Sequence, residues 1–191
     1  FYNCSSLTTI YASSKFVTTQ VTKSSGMFKN CGKLKGEEEC TNDKATDKTY
    51  AKIEGGYFSR AIPRVKYADG TLTFFLATKE TLGENEYGIY DGWATPDWVW
   101  QNPNVTNVTK VVFDPAFANA RPTKCNEWFQ NYVNLTSIEG IEYLNTSQVT
   151  DMHNMFYNCY HLQTTDFSGF DTRKVKDMSN MIYNCGSLKS L

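Results

Sequence analysis

A repeat of 26 to 27 residues constrains this chain more than any other feature. Asn131, Asn158 and Asn184 stand in Phe129-Gln-Asn-Tyr132, Phe156-Tyr-Asn-Cys159 and Ile182-Tyr-Asn-Cys185, at spacings of 27 and 26, and Leu135, Leu162 and Leu188 follow at one common offset. Such a period is too long for a single strand or turn. It is the span of one supersecondary unit, which buries its apolar face only when a neighbouring unit stacks on it.

Each unit reads as two halves. Val149, Met152, Met155, Phe156 and Cys159 fall three and four residues apart, and Val175, Met178, Met181, Ile182 and Cys185 copy them, the spacing of one face of a short helix. Asp151 and Asp177 precede these faces as N-caps. The pattern Leu162-x-x-Thr165-x-Phe167 then gives a short strand whose alternate residues point inward. A short strand plus a short helix per coil predicts an α/β leucine-rich-repeat solenoid. Carried backward, the register takes in Val108, Val111 and Phe113, with Cys125, Trp128 and Phe129 at the positions of Met152, Met155 and Phe156. It recurs in Phe1-Tyr-Asn-Cys4 and Phe28-Lys-Asn-Cys31. Three regions are therefore expected: 1–36, the end of one array; 37–103, a polar loop and β-rich insert; and 104–191, the start of a second array.

The stretches Asn145-Thr-Ser-Gln-Val-Thr-Asp-Met-His-Asn-Met-Phe-Tyr-Asn-Cys159, Phe167-Ser-Gly-Phe-Asp-Thr172, Asp177-Met-Ser-Asn-Met181 and Phe1-Tyr-Asn-Cys-Ser-Ser-Leu-Thr-Thr9 resemble the BspA-like leucine-rich-repeat surface proteins of bacteria. Asp69-Gly-Thr-Leu-Thr-Phe74 with Val111-Val-Phe-Asp114 looks like the segment that leads into such arrays. The resemblance implies a secreted or cell-surface protein that adheres to host proteins, other cells or glycans, and it implies no chemistry. Thr165 departs from the pattern, which prefers a larger apolar residue there.

Charge and composition narrow the function classes. With 19 basic and 20 acidic residues the formal net charge is -1, and nucleic acid or an anionic membrane normally demands a basic face. Neither is expected as a partner. No run reaches the length of a membrane span and no basic stretch followed by an apolar core opens the chain. Because Phe1 falls within a repeat, the sequence reads as part of a longer protein whose export signal lies elsewhere. The six cysteines read as small buried residues, since Cys4, Cys31, Cys159 and Cys185 share one repeat position. A bridge from Cys159 to Cys185, or from Cys31 to Cys40, is the alternative.

Enzymatic constellations are scarce. The two histidines, His153 and His161, sit where Ser179 and Asn126, or Ser187 and Asn134, stand in other units, so both read as surface. No phosphate loop, Cys-x-x-Cys pair or His-x-x-x-His helix occurs. Capping accounts for Asp151 and Asp177 more simply than calcium does, and Glu37-Glu-Glu39 reads as a solvated charge run. No catalytic residue, metal or cofactor is expected.

Binding is the expected activity. Arg64-Val-Lys-Tyr67 and Thr71-Leu-Thr-Phe-Phe-Leu76 flank Ala68-Asp69-Gly70, a hairpin signal that puts Leu72, Phe74 and Leu76 on one inner face. Gly88-Ile-Tyr-Asp-Gly92 reads as a further strand. In the irregular segment from Trp93 to Trp100, Trp98 and Trp100 would share a side if extended, a flat platform for a sugar ring or a protein anchor. Thr164, Asp166 and Ser168 are the outward positions of a strand and candidate contacts for multivalent recognition. The rival readings are a carbohydrate-binding module on the tryptophans and a structural spacer. Open repeat ends at Phe1 and Leu191 also predict head-to-tail self-association.

Overall fold

The computed structural model of the chain describes residues 1–12, 15–41, 44, 46–79, 81–89 and 95–190. The chain divides into two compact units, Phe1–Ala61 and Ile62–Leu191, so the division falls within the stretch 37–103.

In the first unit β1 (Ile10–Ala12) and β2 (Phe58–Arg60) pair in parallel, with Ile10 opposite Phe58. The 27-residue register brings its two copies together. The Asn30 side-chain amide donates to Asn3 Oδ1 over 2.6 Å, the Asn3 N–H donates to the Lys29 carbonyl over 2.9 Å, and the rings of Phe1 and Phe28 stack with centroids 5.5 Å apart. Phe28, Cys31, Leu34, Tyr57 and Phe58 make the buried core. The polar run expected as an exposed loop is partly stitched to that core. Cys40 is buried, Lys35 pairs with Glu39 and Lys44 with Glu38. Asp47 caps a 3-10 turn at Lys48–Tyr50 by accepting the Thr49 N–H.

The second unit is built on a five-stranded sheet. Its strands are β3 (Ile62–Ala68), β4 (Thr71–Ala77), β5 (Glu86–Gly88), β6 (Lys110–Phe113) and β7 (Ser137–Glu139), in the order β5-β3-β4-β6-β7. Asp69 and Gly70 take φ of 47° and 74°, the left-handed pair that a two-residue hairpin turn requires, so the Asp-Gly signal is met. Leu72, Phe74 and Leu76 are buried as the alternation implies. β4, β6 and β7 run parallel, and Val111 faces Ile138, one repeat apart. Phe74 is the hub of the core, with the rings of Trp98, Phe113, Phe117, Trp128 and Phe129 all within 5.8 Å of it, centroid to centroid. Of the strand expected at Gly88–Gly92, residues Tyr90 to Gly92 lie outside the described residues.

The α/β leucine-rich-repeat solenoid expected from the spacing is not what forms. The architecture is β, in two sheets, and no helix is present among the described residues from 145 to 190. The reason lies in left-handed residues four apart. Glu127 and Asn131, Asn154 and Asn158, and Asn180 and Asn184 all have φ between 53° and 63°. One such residue terminates an α-helix, and two per turn region exclude it. The chain instead runs through successive turns, with Tyr157 N–H bonded to Asn154 O and Cys159 N–H to Phe156 O. Every second N–H reaches the following repeat: Met152 to Asp177 O, Asn154 to Ser179 O, Phe156 to Met181 O and Asn158 to Tyr183 O, at 2.7 to 2.9 Å. Turns of this size also place apolar residues three and four apart on one side. Val149, Met152, Met155, Phe156 and Cys159 are accordingly all buried without a helix. The strand half shrinks too: the segment from Leu162 contributes one bridge, Thr164 to Ser190.

Candidate functional site

Among the described residues, one group of metal-ligand-type side chains lies where two repeats meet. Lys124 bridges in parallel to Asp151, and Asp151 to Asp177, so the two aspartates stack one unit apart. Each ties down its own turn. Asp151 Oδ1 accepts the His153 N–H over 3.1 Å, and Asp177 Oδ1 accepts the Ser179 N–H over 2.9 Å and its hydroxyl over 2.7 Å. The helix capping expected of Asp151 and Asp177 does not occur, since no helix starts there; each side chain instead accepts from the N–H two residues ahead in a turn.

His153 fills the space between the units. Its Nδ1 lies 2.7 Å from Asp151 Oδ1 and its Nε2 3.5 Å from Glu127 Oε1, and the Asp151 and Glu127 side chains are only 11% and 17% exposed. Glu127 Oε2 is sealed from solvent with no hydrogen-bond partner. The ligand atoms of Asp151, His153 and Asp177 lie within 4.8 Å of one another. Burial opposes a charge on the imidazole, but the Asp151 hydrogen bond and the carboxylates of Asp151, Glu127 and Asp177 outweigh it and hold the His153 pKa above its usual range.

Reading His153 as a freely varying surface position missed these acidic neighbours. Ser179 and Asn126 occupy the same place in other units, but only this unit has an acid above it in Glu127 and one below it in Asp177. The signal in the sequence was the Glu127, which stands where Asn154 and Asn180 stand elsewhere.

None of the six cysteines is in a disulfide, so neither the Cys159–Cys185 nor the Cys31–Cys40 bridge forms. Cys159 and Cys185 sit one unit apart, and their thiols lie 3.2 Å from the Phe129 carbonyl and 3.0 Å from the Phe156 carbonyl, respectively. The interaction between the two thiols, with burial, pushes the Cys159 thiol up, and the same interaction holds Cys185 below the usual thiol range.

The tryptophan platform does not form. The segment is not extended but makes one helical turn, α1 (Asp97–Trp100), and residues two apart on a helix face opposite ways. Trp98 is 1% exposed, with its Nε1–H donated to the Trp128 carbonyl over 2.9 Å, whereas Trp100 is 65% exposed. Trp93 lies outside the described residues. Thr164, Asp166 and Ser168 are exposed on a segment that forms no strand, and Asp166 Oδ1 accepts the Ser168 N–H over 2.8 Å.

A second, partly exposed row runs across the repeats. The Tyr157 and Tyr183 rings stack at 5.1 Å, beside a ladder in which Asn158 donates to Asn131 over 2.9 Å and Asn184 to Asn158 over 3.0 Å. Tyr160 and Tyr183 are exposed.

Residues 116–190 match the family model DUF285, described as a Mycoplasma protein of unknown function. The match covers the repeats and under half of the 191-residue chain. No curated protein and no solved structure matches the chain.

Proposed function

We propose that this chain is a non-enzymatic recognition module of a bacterial surface or secreted protein, which binds host extracellular proteins, other cells or glycans through the exposed rows of its repeats. The observation that carries the reading is the stacked Tyr157–Tyr183 pair alongside the asparagine ladder, with Tyr160 exposed nearby. Tyrosine supplies large, rigid contact area with a polar tip, and amides supply adaptable hydrogen bonds, so such rows suit protein surfaces and sugars. The resemblance to the BspA-like surface proteins and the family description naming a bacterium support the setting. Each unit offers a modest contact, and the repetition sums them.

The test is saturable binding of the purified chain to immobilised extracellular-matrix proteins and mucins. Tyr160→Ala combined with Tyr183→Ala should weaken binding at least tenfold, and Thr164→Ala, Asp166→Ala and Ser168→Ala together should weaken it a further few-fold. No binding across the panel, or binding indifferent to both sets of variants, would refute the reading. The buried Trp98 removes the paired platform on which a tryptophan-centred carbohydrate module depended.

A further inference from the structure

The geometry points to a site for one divalent transition-metal ion, of the Mn2+ and Zn2+ class, held by Asp151, His153 and Asp177 between two successive repeats. Two carboxylates and an imidazole combine oxygen and nitrogen donors. That set suits first-row transition dications and disfavours Ca2+, which takes six to eight oxygens. The three ligand atoms lie within 4.8 Å of one another. Two ligand atoms each about 2.1 Å from a tetrahedral ion lie about 3.4 Å apart. Closing the triangle takes at most about 1.4 Å, which the exposed Asp177 side chain supplies by rotating.

Glu127 makes this more than a group of acids. Its Oε1 faces His153 Nε2 at 3.5 Å, and its Oε2 is sealed from solvent without a hydrogen-bond partner. An imidazole that binds a cation through Nδ1 carries its proton on Nε2, and a carboxylate behind that proton fixes the ring and raises its basicity. Glu127 stands in that position. In the present geometry the Nδ1 proton satisfies Asp151 over 2.7 Å, and a cation replaces that proton as the link between the two side chains. A dication also offsets two of the three carboxylate charges that converge there. Because Asp151 and Asp177 belong to adjacent units, the ion would clamp one repeat to the next.

The Cys159–Cys185 pair competes for soft metals, so Mn2+ is the probe. Chelator-stripped protein is titrated with Mn2+ and the free ion is counted by its electron paramagnetic resonance signal, with circular dichroism reporting the fold of each variant. The wild type should retain one Mn2+ per chain, and equimolar Ca2+ should not displace it. Asp177→Asn preserves the Oδ1 that accepts the Ser179 N–H and should weaken binding at least tenfold, as should His153→Asn. Glu127→Gln should weaken it by about tenfold. Cys159→Ser with Cys185→Ser should leave it unchanged. No Mn2+ retained by the folded wild type, retention equal in Asp177→Asn and His153→Asn, or displacement by equimolar Ca2+ would overturn the assignment.

Discussion

The side-chain amide of Asn158 donates to Asn131 Oδ1 over 2.9 Å, and its own Oδ1 accepts from Asn184 over 3.0 Å, so one residue joins three repeats. Asn158 also takes φ of 61°. Asn158→Ala removes both bonds and forces a left-handed alanine, for a combined cost of about 2–3 kcal/mol. Asn158→Gly removes the bonds alone and should cost about 1–2 kcal/mol. Urea denaturation of both variants reads the difference. Equal losses would mean that the left-handed conformation contributes nothing.

Trp98 and Trp100 should separate sharply in stability. Trp98 packs edge-on against Phe74 and Trp128 and donates to the Trp128 carbonyl, so Trp98→Ala should destabilise by about 3–5 kcal/mol. Trp100→Ala should stay within about 0.5 kcal/mol. Thermal and urea unfolding of the two variants check this, and similar losses would contradict the burial assigned to them.

Thr165 is buried, and its hydroxyl has no hydrogen-bond partner. Valine has the same shape without the stranded oxygen, so Thr165→Val should raise the unfolding free energy by about 1 kcal/mol. A loss of stability in the same assay would mean that the hydroxyl is satisfied in solution.

His153 sets a pH dependence whose sign follows from its neighbours. Its folded pKa is raised above the ordinary 6.5, so the stabilisation is complete below that value and is lost as the pH climbs through the folded pKa. The lowered pKa of Cys185 acts in the opposite sense, adding stability as the pH rises, so the comparison must be with a variant. In chelator-containing buffer, the melting temperature of the wild type minus that of His153→Asn should fall as the pH is raised from below 6.5 through the folded pKa. A constant difference would contradict the surrounding carboxylates.

The period was the most legible feature. Leu135 and Leu162 are buried, Val111 faces Ile138, and Asn131, Asn158 and Asn184 form one ladder, all as a 26 to 27-residue spacing implies. The hairpin was legible because Asp69-Gly70 carries its own backbone preference. The helix was misread because Met152, Met155, Phe156 and Cys159 fall at the same intervals on successive turns as on a helix, and apolar spacing alone does not distinguish the two. The asparagines did, since Asn154 and Asn158 are four apart and both favour left-handed φ. Trp98 and Trp100 failed for a related reason: two residues apart means one face only on an extended chain. The acidic surroundings of His153 needed three units at once, with Glu127 above and Asp177 below, and no single repeat contains them.

The ladder, the thiol pair, the cation site and the tyrosine row all require adjacent repeats to lie in register. Nuclear Overhauser spectroscopy on the folded chain tests that directly, through the stacked rings of Tyr157 and Tyr183, whose centroids are 5.1 Å apart, and of Phe129 and Phe156, at 5.2 Å. Cross-peaks within both ring pairs, with Tyr157 linked to Tyr183, are the predicted result. Well-dispersed spectra in which neither pair shows a cross-peak would contradict the stacking of the repeats.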